Sequence, residues 1–443
     1  MDNYVDQYIN EKMDKINKNN NVYEFGKIVK INDFIIEVTG LNNLSFFEKV
    51  NIGDYGVGYV NAILENSVMI AVLKVSRRIQ INDKVYSTGE ILETYFSKQF
   101  LGRIIDMFGN DVYTHQKFAD LVKIKIENFP VSIMDRGRVN RPLETGITGI
   151  DLIYPIGKGQ RQLIVGDKRT GKTQLCLDIM TNQIDKKVLC IYVAIGKTKK
   201  EVKSIYTELQ KRGALSYTII VSAFNDDKPP VLSLTPYVAL SIAEVYMQNN
   251  YDVLVVIDDL KRHAEAYREI SLVSGKTPGR DAYPADIFYT HSRLLEKGCQ
   301  HKNGGSITIL PIIETKGEDI TDYITTNIIS ITDGQIYLSS KLFAKGQKPA
   351  IDYGLSVSRL GSAVQNNDIK KLGSVVRLKL LSYLESQDVY QFSNLDEMGL
   401  NLKNKIQEGK KLMSLLCQDK FSPVSKEQII SDFNFVFEDK NEG

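Results

Sequence analysis

The 443-residue sequence has no visible cluster of metal-ligating or disulfide-forming residues. Its four histidines and four cysteines are scattered, and the cysteines form no Cys-x-x-Cys pair. This spacing argues against a metal cluster or a disulfide framework and favours buried thiols in a reducing cytoplasm. The cysteines are Cys176, Cys190, Cys299 and Cys417.

An excess of charge and a long apolar run are also missing. Lys and Arg total 56 against 54 for Asp and Glu, so the formal net charge is only +2. A near-neutral balance argues against a dedicated nucleic-acid or anionic-membrane binder. No uninterrupted apolar run approaches the roughly 18 residues of a membrane span. The first residues, MDNYVDQYIN, lack the basic start and apolar core of a secretory signal. We therefore expect a cytoplasmic protein without a nucleic-acid partner.

The N-terminal quarter contains two different regions. Residues 1–23 are polar, with Val5, Ile9, Met13 and Ile16 at helical spacing, so they form either a short amphipathic docking helix or a solvated tail. Residues 24–88 contain short runs rich in β-branched residues, broken by Gly, Asn and Asp. Several short strands at this spacing predict a small β-barrel or sandwich.

The rest of the chain predicts an α/β domain followed by helices. Over residues 89–365, strand-like runs such as RQLIVG, VLCIYVAIG and DVLVVIDDL alternate with helix-like segments. Such alternation builds a largely parallel sheet with helices on both faces. Over residues 366–443 the strand pattern ends and helical periodicity takes over, which predicts a small helical domain.

A phosphate-binding motif lies between a strand and a helix. The segment GDKRTGKT matches the P-loop pattern G-x-x-x-x-G-K-[ST] in the context that the pattern requires. Inward-facing backbone N–H groups and the positive end of the following helix would cradle phosphates. The lysine would reach the β- and γ-phosphates, and the final threonine would place its hydroxyl on Mg²⁺. The predicted nucleotide-binding residues are Gly166, Asp167, Lys168, Arg169, Thr170, Gly171, Lys172 and Thr173.

A carboxylate at the end of a hydrophobic strand would complete the metal site. The run VLVVIDD supplies two acids, and an Asp in this place holds the magnesium ion in P-loop enzymes. We assign the metal role to Asp258, together with Thr173, and expect Asp259 to cap the next segment. The predicted cofactors are therefore ATP or ADP and Mg²⁺.

The residue that would activate water is missing. Hydrolysis needs a group that positions or deprotonates the attacking water. We expect it after the strand beside the P-loop strand, for which we take VLCIYVAIG. The residue in this place is Lys197, which is cationic at neutral pH and cannot accept a proton from water. Glu201, four residues on, is the alternative base.

Long segments of the chain resemble the alpha subunits of F-type ATP synthases from about residue 24 to about residue 430. The most specific segments are TGITGIDLIYPIGKGQRQLIVGDKRTGKT, PGRDAYPADIFYTHSRLLE, LPIIETKGEDITDYI and GLSVSRLGSAVQ. The resemblance implies a β-barrel, a RecA-like P-loop domain and a helical domain. It also implies a ring in which alpha-type chains alternate with catalytic beta-type chains around a gamma-type central shaft. Membrane contact would be indirect, through the complex, and the N-terminal segment would contact a stator.

The resemblance also implies site residues. In that family the alpha site binds nucleotide without turning it over, because the catalytic glutamate of the beta type is replaced by glutamine; here Lys197 stands in that position. The arginine of the SVSR motif corresponds to Arg359, which would project into the neighbouring catalytic site, and Ser356 matches a position at the same interface. The adenine-binding positions correspond to Lys348, Pro349, Gln418 and Lys420.

Several departures from the family pattern leave alternatives open. Arg169 stands where the P-loop usually has glutamine, Lys420 replaces a second adenine-site glutamine, and the chain ends soon after FSPVSKEQII. The short C-terminus, Arg169 and Lys197 favour, as an alternative, a diverged ATP-hydrolysing motor head that is not coupled to a proton channel. A homohexameric translocase or secretion ATPase would need an acid near position 197, and intact Lys172, Thr173 and Asp258 argue against a vestigial P-loop.

Overall fold

The computed structural model describes residues 24–390 and 400–438. The first element is a closed barrel of six antiparallel strands in the order β1-β2-β5-β4-β3-β6. Its strands are β1 (Phe25–Asn32), β2 (Ile35–Thr39), β3 (Glu48–Ile52), β4 (Gly56–Ile63), β5 (Val68–Val75) and β6 (Lys84–Ile91). The segment 1–23, expected to be a docking helix or a tail, lies outside the described residues.

The barrel closes because its strands alternate inward and outward side chains. In β3 every second residue is buried, and Val50 and Ile52 are fully inaccessible. With Ile28, Ile36 and Ile70 from other strands they form a separate apolar core. Closure leaves no unpaired sheet edge, so every strand of the barrel has two hydrogen-bonded neighbours.

A nine-stranded sheet forms the centre of the molecule. Its main path runs in the order β19-β18-β12-β17-β15-β13-β14-β8, and β16 pairs with β17 off this path. The strands after the barrel are β7 (Glu93–Phe96), β8 (Ile104–Ile105), β9 (Val122–Lys125), β10 (Pro142–Leu143), β11 (Ile156–Gly157), β12 (Leu163–Asp167), β13 (Val188–Lys197), β14 (Thr218–Phe224), β15 (Asp252–Asp258), β16 (Cys299–Gln300), β17 (Ser306–Thr315), β18 (Gly334–Leu338) and β19 (Val357–Ser358).

Helices cover this sheet and close the chain. In chain order they are α1 (Thr148–Ile153), α2 (Lys172–Thr181), α3 (Lys199–Lys211), α4 (Pro229–Gln248), α5 (Leu260–Val273), α6 (Ile287–Leu295), α7 (Tyr323–Ile331), α8 (Ser340–Ala344), α9 (Asn367–Tyr390), α10 (Leu400–Leu416) and α11 (Lys426–Glu438). The last three pack together, and Leu412, Leu416 and Phe433 join the core on one face of the sheet. The barrel, the parallel-sheet domain and the C-terminal helices confirm the predicted fold class.

The sheet is buried on both faces, which explains its continuous apolar strands. In β15 the residues from Val253 to Ile257 are all buried, as expected of a parallel strand covered by helices on both sides. The strands from β18 to β8 are parallel, so their carboxyl ends lie at one edge, where ligands bind in open α/β sheets.

Helix α4 is long and apolar enough to cross a membrane by length and composition, and 89% of its most apolar window is buried inside the protein. A count of uninterrupted apolar residues misses it because Ser233, Thr235 and Glu244 interrupt the run. Its burial against the sheet identifies it as a core helix.

Candidate nucleotide site and exposed arginine

The P-loop turns sharply between β12 and α2. Gly171 has φ +96° and caps the helix, and Arg169 also adopts a left-handed conformation with φ +66°. A Cβ on Gly166 would lie 2.3 Å from the backbone oxygen of Leu338, so only glycine fits there. The Thr170 hydroxyl donates to the Asp167 carbonyl over 2.8 Å and tightens the turn.

Lys172 folds back over the loop. Its ammonium donates to the backbone oxygens of Gly166, at 2.8 Å, and Asp167, at 2.5 Å. The residue is only 8% exposed, and burial lowers its pKa. It forms no ion pair with any carboxylate in the described part of the chain. A buried cation satisfied only by neutral carbonyls suits an anion such as phosphate.

The other P-loop side chains have different roles. The Asp167 carboxylate accepts hydrogen bonds from the Thr315 hydroxyl at 2.7 Å and the Glu318 N–H at 2.9 Å, so it anchors the loop to the end of β17. Lys168 and Arg169 are exposed at the mouth of the loop.

Asp258 is the central acceptor beside the P-loop. It is 2% exposed and accepts hydrogen bonds from the Thr173 hydroxyl at 2.7 Å and the Tyr192 hydroxyl at 2.5 Å. The structure thus brings the two predicted metal ligands together, and both offer the hard oxygen atoms that Mg²⁺ prefers. Asp259 accepts from the Arg262 N–H at 2.9 Å and caps α5.

Lys197 lies beside Asp258 and not beside the P-loop strand. The expectation that VLCIYVAIG neighbours the P-loop strand is wrong, because β17 and β15 stand between β12 and β13. Strand β13 pairs instead with the strand that carries Asp258, with Ala194 opposite this aspartate. The Lys197 ammonium consequently lies 2.9 Å from the Asp258 carboxylate.

The contacts of three side chains near Asp258 shift their pKa values; these are Lys197, Asp259 and Glu201. Burial opposes the charged form of Lys197, but the charge of Asp258 and the hydrogen bond to it together raise the pKa of Lys197 above its ordinary value. Burial and the charge of Asp258 raise the pKa of Asp259 to about 6. The Glu201 carboxylate accepts from the Thr198 N–H and hydroxyl in a capping box, and these bonds lower the pKa of Glu201.

A cavity of about 390 Å³ opens at the start of α2. It brings the predicted adenine-site residues Lys348, Pro349, Gln418 and Lys420 together with Thr170 and Gly171 of the P-loop. The amide of Gln418 is already used within the protein, since it donates to the Gly146 oxygen at 2.7 Å and accepts from the Thr148 N–H at 3.1 Å. Gln418 therefore shapes the wall of this cavity.

Four residues at these sites escaped the sequence reading. Gln174, Asp178 and Phe343 line the cavity at the start of α2, and Gln174 donates to Asp178 at 2.7 Å. Their i,i+4 spacing on the P-loop helix was the available pattern. Tyr192 is the other omission, and its only mark in the sequence is a polar aromatic residue inside an aliphatic strand.

Arg359 lies at the opposite end of the sheet. Strand β19 pairs antiparallel with β18, placing Ser358 opposite Gly334, and the Arg359 N–H donates to the Asp333 oxygen at 2.8 Å. The arginine side chain is exposed, with its guanidinium 3.4 Å from the Ile329 oxygen. Ser356 is instead 1% exposed, and its hydroxyl accepts from the Tyr337 N–H at 3.0 Å, a placement that favours a structural role.

The topology separates Arg359 from the P-loop of the same chain. Leu163, the first residue of β12, pairs with Gln335 near the start of β18, whereas the P-loop leaves the far end of β12. The four steps between the five residues of β12, at about 3.3 Å each, give a separation of about 13 Å along the strand. Arg359 therefore lies away from the P-loop of its own chain.

Comparisons with known proteins agree with this architecture. Residues 146–358 match the model of the ATP synthase alpha/beta family, nucleotide-binding domain. An ATP synthase subunit alpha of Acetivibrio thermocellus is 41% identical over 433 residues, covering 96% of this chain and 85% of that protein. The ATP synthase subunit alpha of Macrococcus caseolyticus is 39% identical over 93% of this chain and 82% of its own length. That of Mycoplasma mycoides is 41% identical over 95% and 81%, respectively.

Proposed function

We propose, from the premise that this chain belongs to the family of F-type ATP synthase alpha subunits, that it binds a nucleotide without hydrolysing it and lends Arg359 to a neighbouring catalytic site. The observation that carries the first part is the ion pair of Lys197 with Asp258, at 2.9 Å. By the family resemblance, Lys197 stands where the catalytic beta type has its glutamate, so a cation occupies the place where hydrolysis needs a proton acceptor.

Two carboxylates near Lys197, those of Glu201 and Asp259, already serve as helix caps. Glu201 is held in the capping box of α3, where its carboxylate accepts two hydrogen bonds from Thr198. Asp259 faces Arg262 as a helix cap. Both carboxylates are engaged in local structure, which supports a site that binds a nucleotide and leaves it intact.

The binding itself rests on Lys172 and the cavity at the start of α2. The buried Lys172 ammonium and the N-terminus of α2 suit phosphates, and the cavity that contains Lys348 and Pro349 suits the base. Thr173 and Asp258 would hold Mg²⁺. When bound, this ion neutralises charge on the phosphate oxygens.

Arg359 would work in trans. An exposed guanidinium at the sheet end opposite its own P-loop supports a role at a subunit boundary, where a fixed charge stabilises the charge that develops on the transferred phosphoryl group. The partners in this proposal are beta-type catalytic subunits, alternating with alpha-type chains around a gamma-type shaft. The assembly would lie in the cytoplasm, peripheral to the inner face of the membrane.

The test is the ATPase rate of a ring assembled from this chain and its beta-type partner. Arg359→Ala should lower turnover by about 10³-fold or more, because an arginine finger contributes about 10³–10⁵ in rate. Arg78→Ala, which removes an exposed arginine from the barrel, is the matched control and should leave turnover unchanged.

Size-exclusion chromatography of each ring separates chemistry from assembly. An intact Arg359→Ala ring with wild-type turnover would show that this arginine is not the finger. An Arg359→Lys ring should recover little of the rate, because lysine lacks the planar donor set of the guanidinium.

A second candidate role keeps the ring but changes what it drives. Lys197 and the cationic loop of Lys168 and Arg169 depart from the family pattern, which favours a diverged ATP-hydrolysing motor head without a proton channel. Genes for proton-channel and stator subunits next to this one would support the synthase, and unrelated neighbours would support the specialised motor. A homohexameric ATPase would need an acid near position 197, where this chain has a lysine, and is therefore disfavoured.

A further inference from the structure

We propose that Lys197 is a built-in cation of this nucleotide site, so that free ATP binds there nearly as tightly as its magnesium complex. This inference rests on the proposed nucleotide binding and deepens it. In a P-loop site, Mg²⁺ contributes to binding mainly by offsetting phosphate charge and by joining the phosphates to the strand-end aspartate. Here the Lys197 ammonium is already placed to offset part of the phosphate charge and to contact the strand-end aspartate.

The geometry places the ammonium where it competes with the metal. Asp258 has two carboxylate oxygens, and both are taken: one by Lys197 at 2.9 Å and the other by the hydroxyls of Thr173 and Tyr192. The Asp258 side chain is only 3% exposed and that of Lys197 20% exposed, so water screens their attraction weakly. A divalent ion would have to displace one of these partners and approach a fixed positive charge.

The same ammonium faces the ligand space. Lys197 lines a cavity of about 540 Å³ together with Lys168 of the P-loop. Arg262 is the third cation of this lining, so positive charge borders the region next to the phosphate loop. Five acids also line this cavity: Glu201, Asp259, Glu265, Glu269 and Glu314. Three of them already have partners within the chain, since Glu201 and Asp259 cap helices and Glu265 pairs with Arg262 at 3.0 Å. Phosphate charge can therefore be offset by lysines of this chain when no metal is present.

The experiment measures ATP affinity of the full chain by calorimetry, once with excess MgCl₂ and once with excess EDTA. For wild type we expect the two dissociation constants to agree within about threefold. Lys197→Gln removes the built-in charge, so its affinity in EDTA should fall about tenfold or more while its affinity in MgCl₂ changes little.

Two further variants make the result specific. Lys199→Gln removes a charge two residues away, from an exposed lysine that pairs with Asp226 at the surface, and should behave like wild type. Lys197→Arg keeps the charge and should keep binding in EDTA. Thermal unfolding of each variant shows whether it is folded, so a loss of binding by an unfolded protein is recognised.

Each outcome has a separate meaning. Tight binding in EDTA that is lost only in Lys197→Gln supports the inference. Binding that requires Mg²⁺ equally in wild type and Lys197→Gln overturns the built-in cation and leaves the proposed nucleotide site standing. Absence of ATP binding by folded wild type under both conditions overturns the proposed nucleotide site, and this inference with it.

Discussion

Among single residues, Asp258 and its partners determine the character of the nucleotide site. An aspartate at the end of a buried strand ordinarily keeps a free oxygen for a metal. Here Thr173, Tyr192 and Lys197 satisfy it from within the chain. These three partners also explain why Asp258 can be only 2% exposed, since a buried charge is tolerated only when it is paired and hydrogen-bonded.

The hydrogen bond from the Tyr192 hydroxyl to the Asp258 carboxylate should contribute measurably to the free energy of unfolding. Tyr192→Phe deletes a hydrogen bond to a buried carboxylate and should lower the free energy of unfolding by about 1.5–3 kcal/mol. Tyr217→Phe is the control, because that hydroxyl donates to the backbone oxygens of Met180 and Thr181, and it should cost only about 0.5–1.5 kcal/mol. Urea unfolding measures both, and equal losses would contradict a charge-assisted bond.

The sequence could predict some of these residues because a local motif contains them. Lys172 and Thr173 follow from the P-loop pattern, and Asp258 follows from its place after an apolar strand. Tyr192 could not be found in this way, because its hydroxyl meets Asp258 only after two strands 66 residues apart in sequence have paired. Its contact is a property of the sheet.

Among secondary-structure elements, the short helix α8 depends on a residue from another segment. The Glu318 carboxylate accepts from the Ser339 hydroxyl at 2.9 Å and from the N–H and hydroxyl of Ser340 at 2.9 and 2.7 Å. The hydrogen bonds, led by that of the Ser340 side chain, lower the pKa of Glu318 from 4.5 to about 2. Through its own N–H, the same residue holds Asp167 of the P-loop.

The contribution of Glu318 to stability should depend on pH. Because the folded protein lowers this pKa, the contribution is complete above the ordinary value of 4.5 and is lost as the pH falls towards about 2. Glu318→Gln should therefore cost about 1 kcal/mol at pH 7, as the loss of a helix cap does, and progressively less near pH 3.

Chemical unfolding at several pH values measures this difference. Glu65→Gln, at an exposed position in the turn between β4 and β5, serves as the control and should show no such trend. A difference for Glu318→Gln that is constant with pH would contradict the role of its charge.

Element type was easier to predict than element order. The strand β15 was predicted from DVLVVIDDL because a run of apolar residues is a local pattern. The order of strands was misjudged at β13, which was taken as the neighbour of the P-loop strand. Strand order depends on which long-range pairings bury the most surface, and no short segment of the sequence records that choice.

For the whole molecule, the important feature is the link between the P-loop strand and Arg359. Arg161, just before β12, binds the Asp333 carboxylate through two guanidinium contacts of 3.0 and 2.7 Å. The Arg359 N–H in turn donates a hydrogen bond to the backbone oxygen of Asp333. The end of β12 opposite the P-loop therefore fixes the backbone from which Arg359 extends.

Loosening this link should weaken the neighbouring site without affecting the chain's own site. Asp333→Asn removes the charge that holds Arg161, so ring ATPase activity should fall to a value between wild type and Arg359→Ala. ATP binding by the isolated chain should remain at the wild-type level, since the P-loop lies at the other end of the strand. Equal loss of both readouts would indicate general destabilisation and contradict a positioning role for Asp333.

The opposite placement of P-loop and Arg359 makes each chain a directional building block. A contact between the arginine face of one subunit and the nucleotide-site face of the next joins two unlike surfaces, and such head-to-tail contacts produce closed rings or open filaments. In a ring that mixes intact chains with chains lacking Arg359, each defective chain would silence an adjacent catalytic site while keeping its own nucleotide. The loss of activity would thus appear at the neighbouring subunit, and the ATPase activity of a ring would fall with the number of defective chains in it.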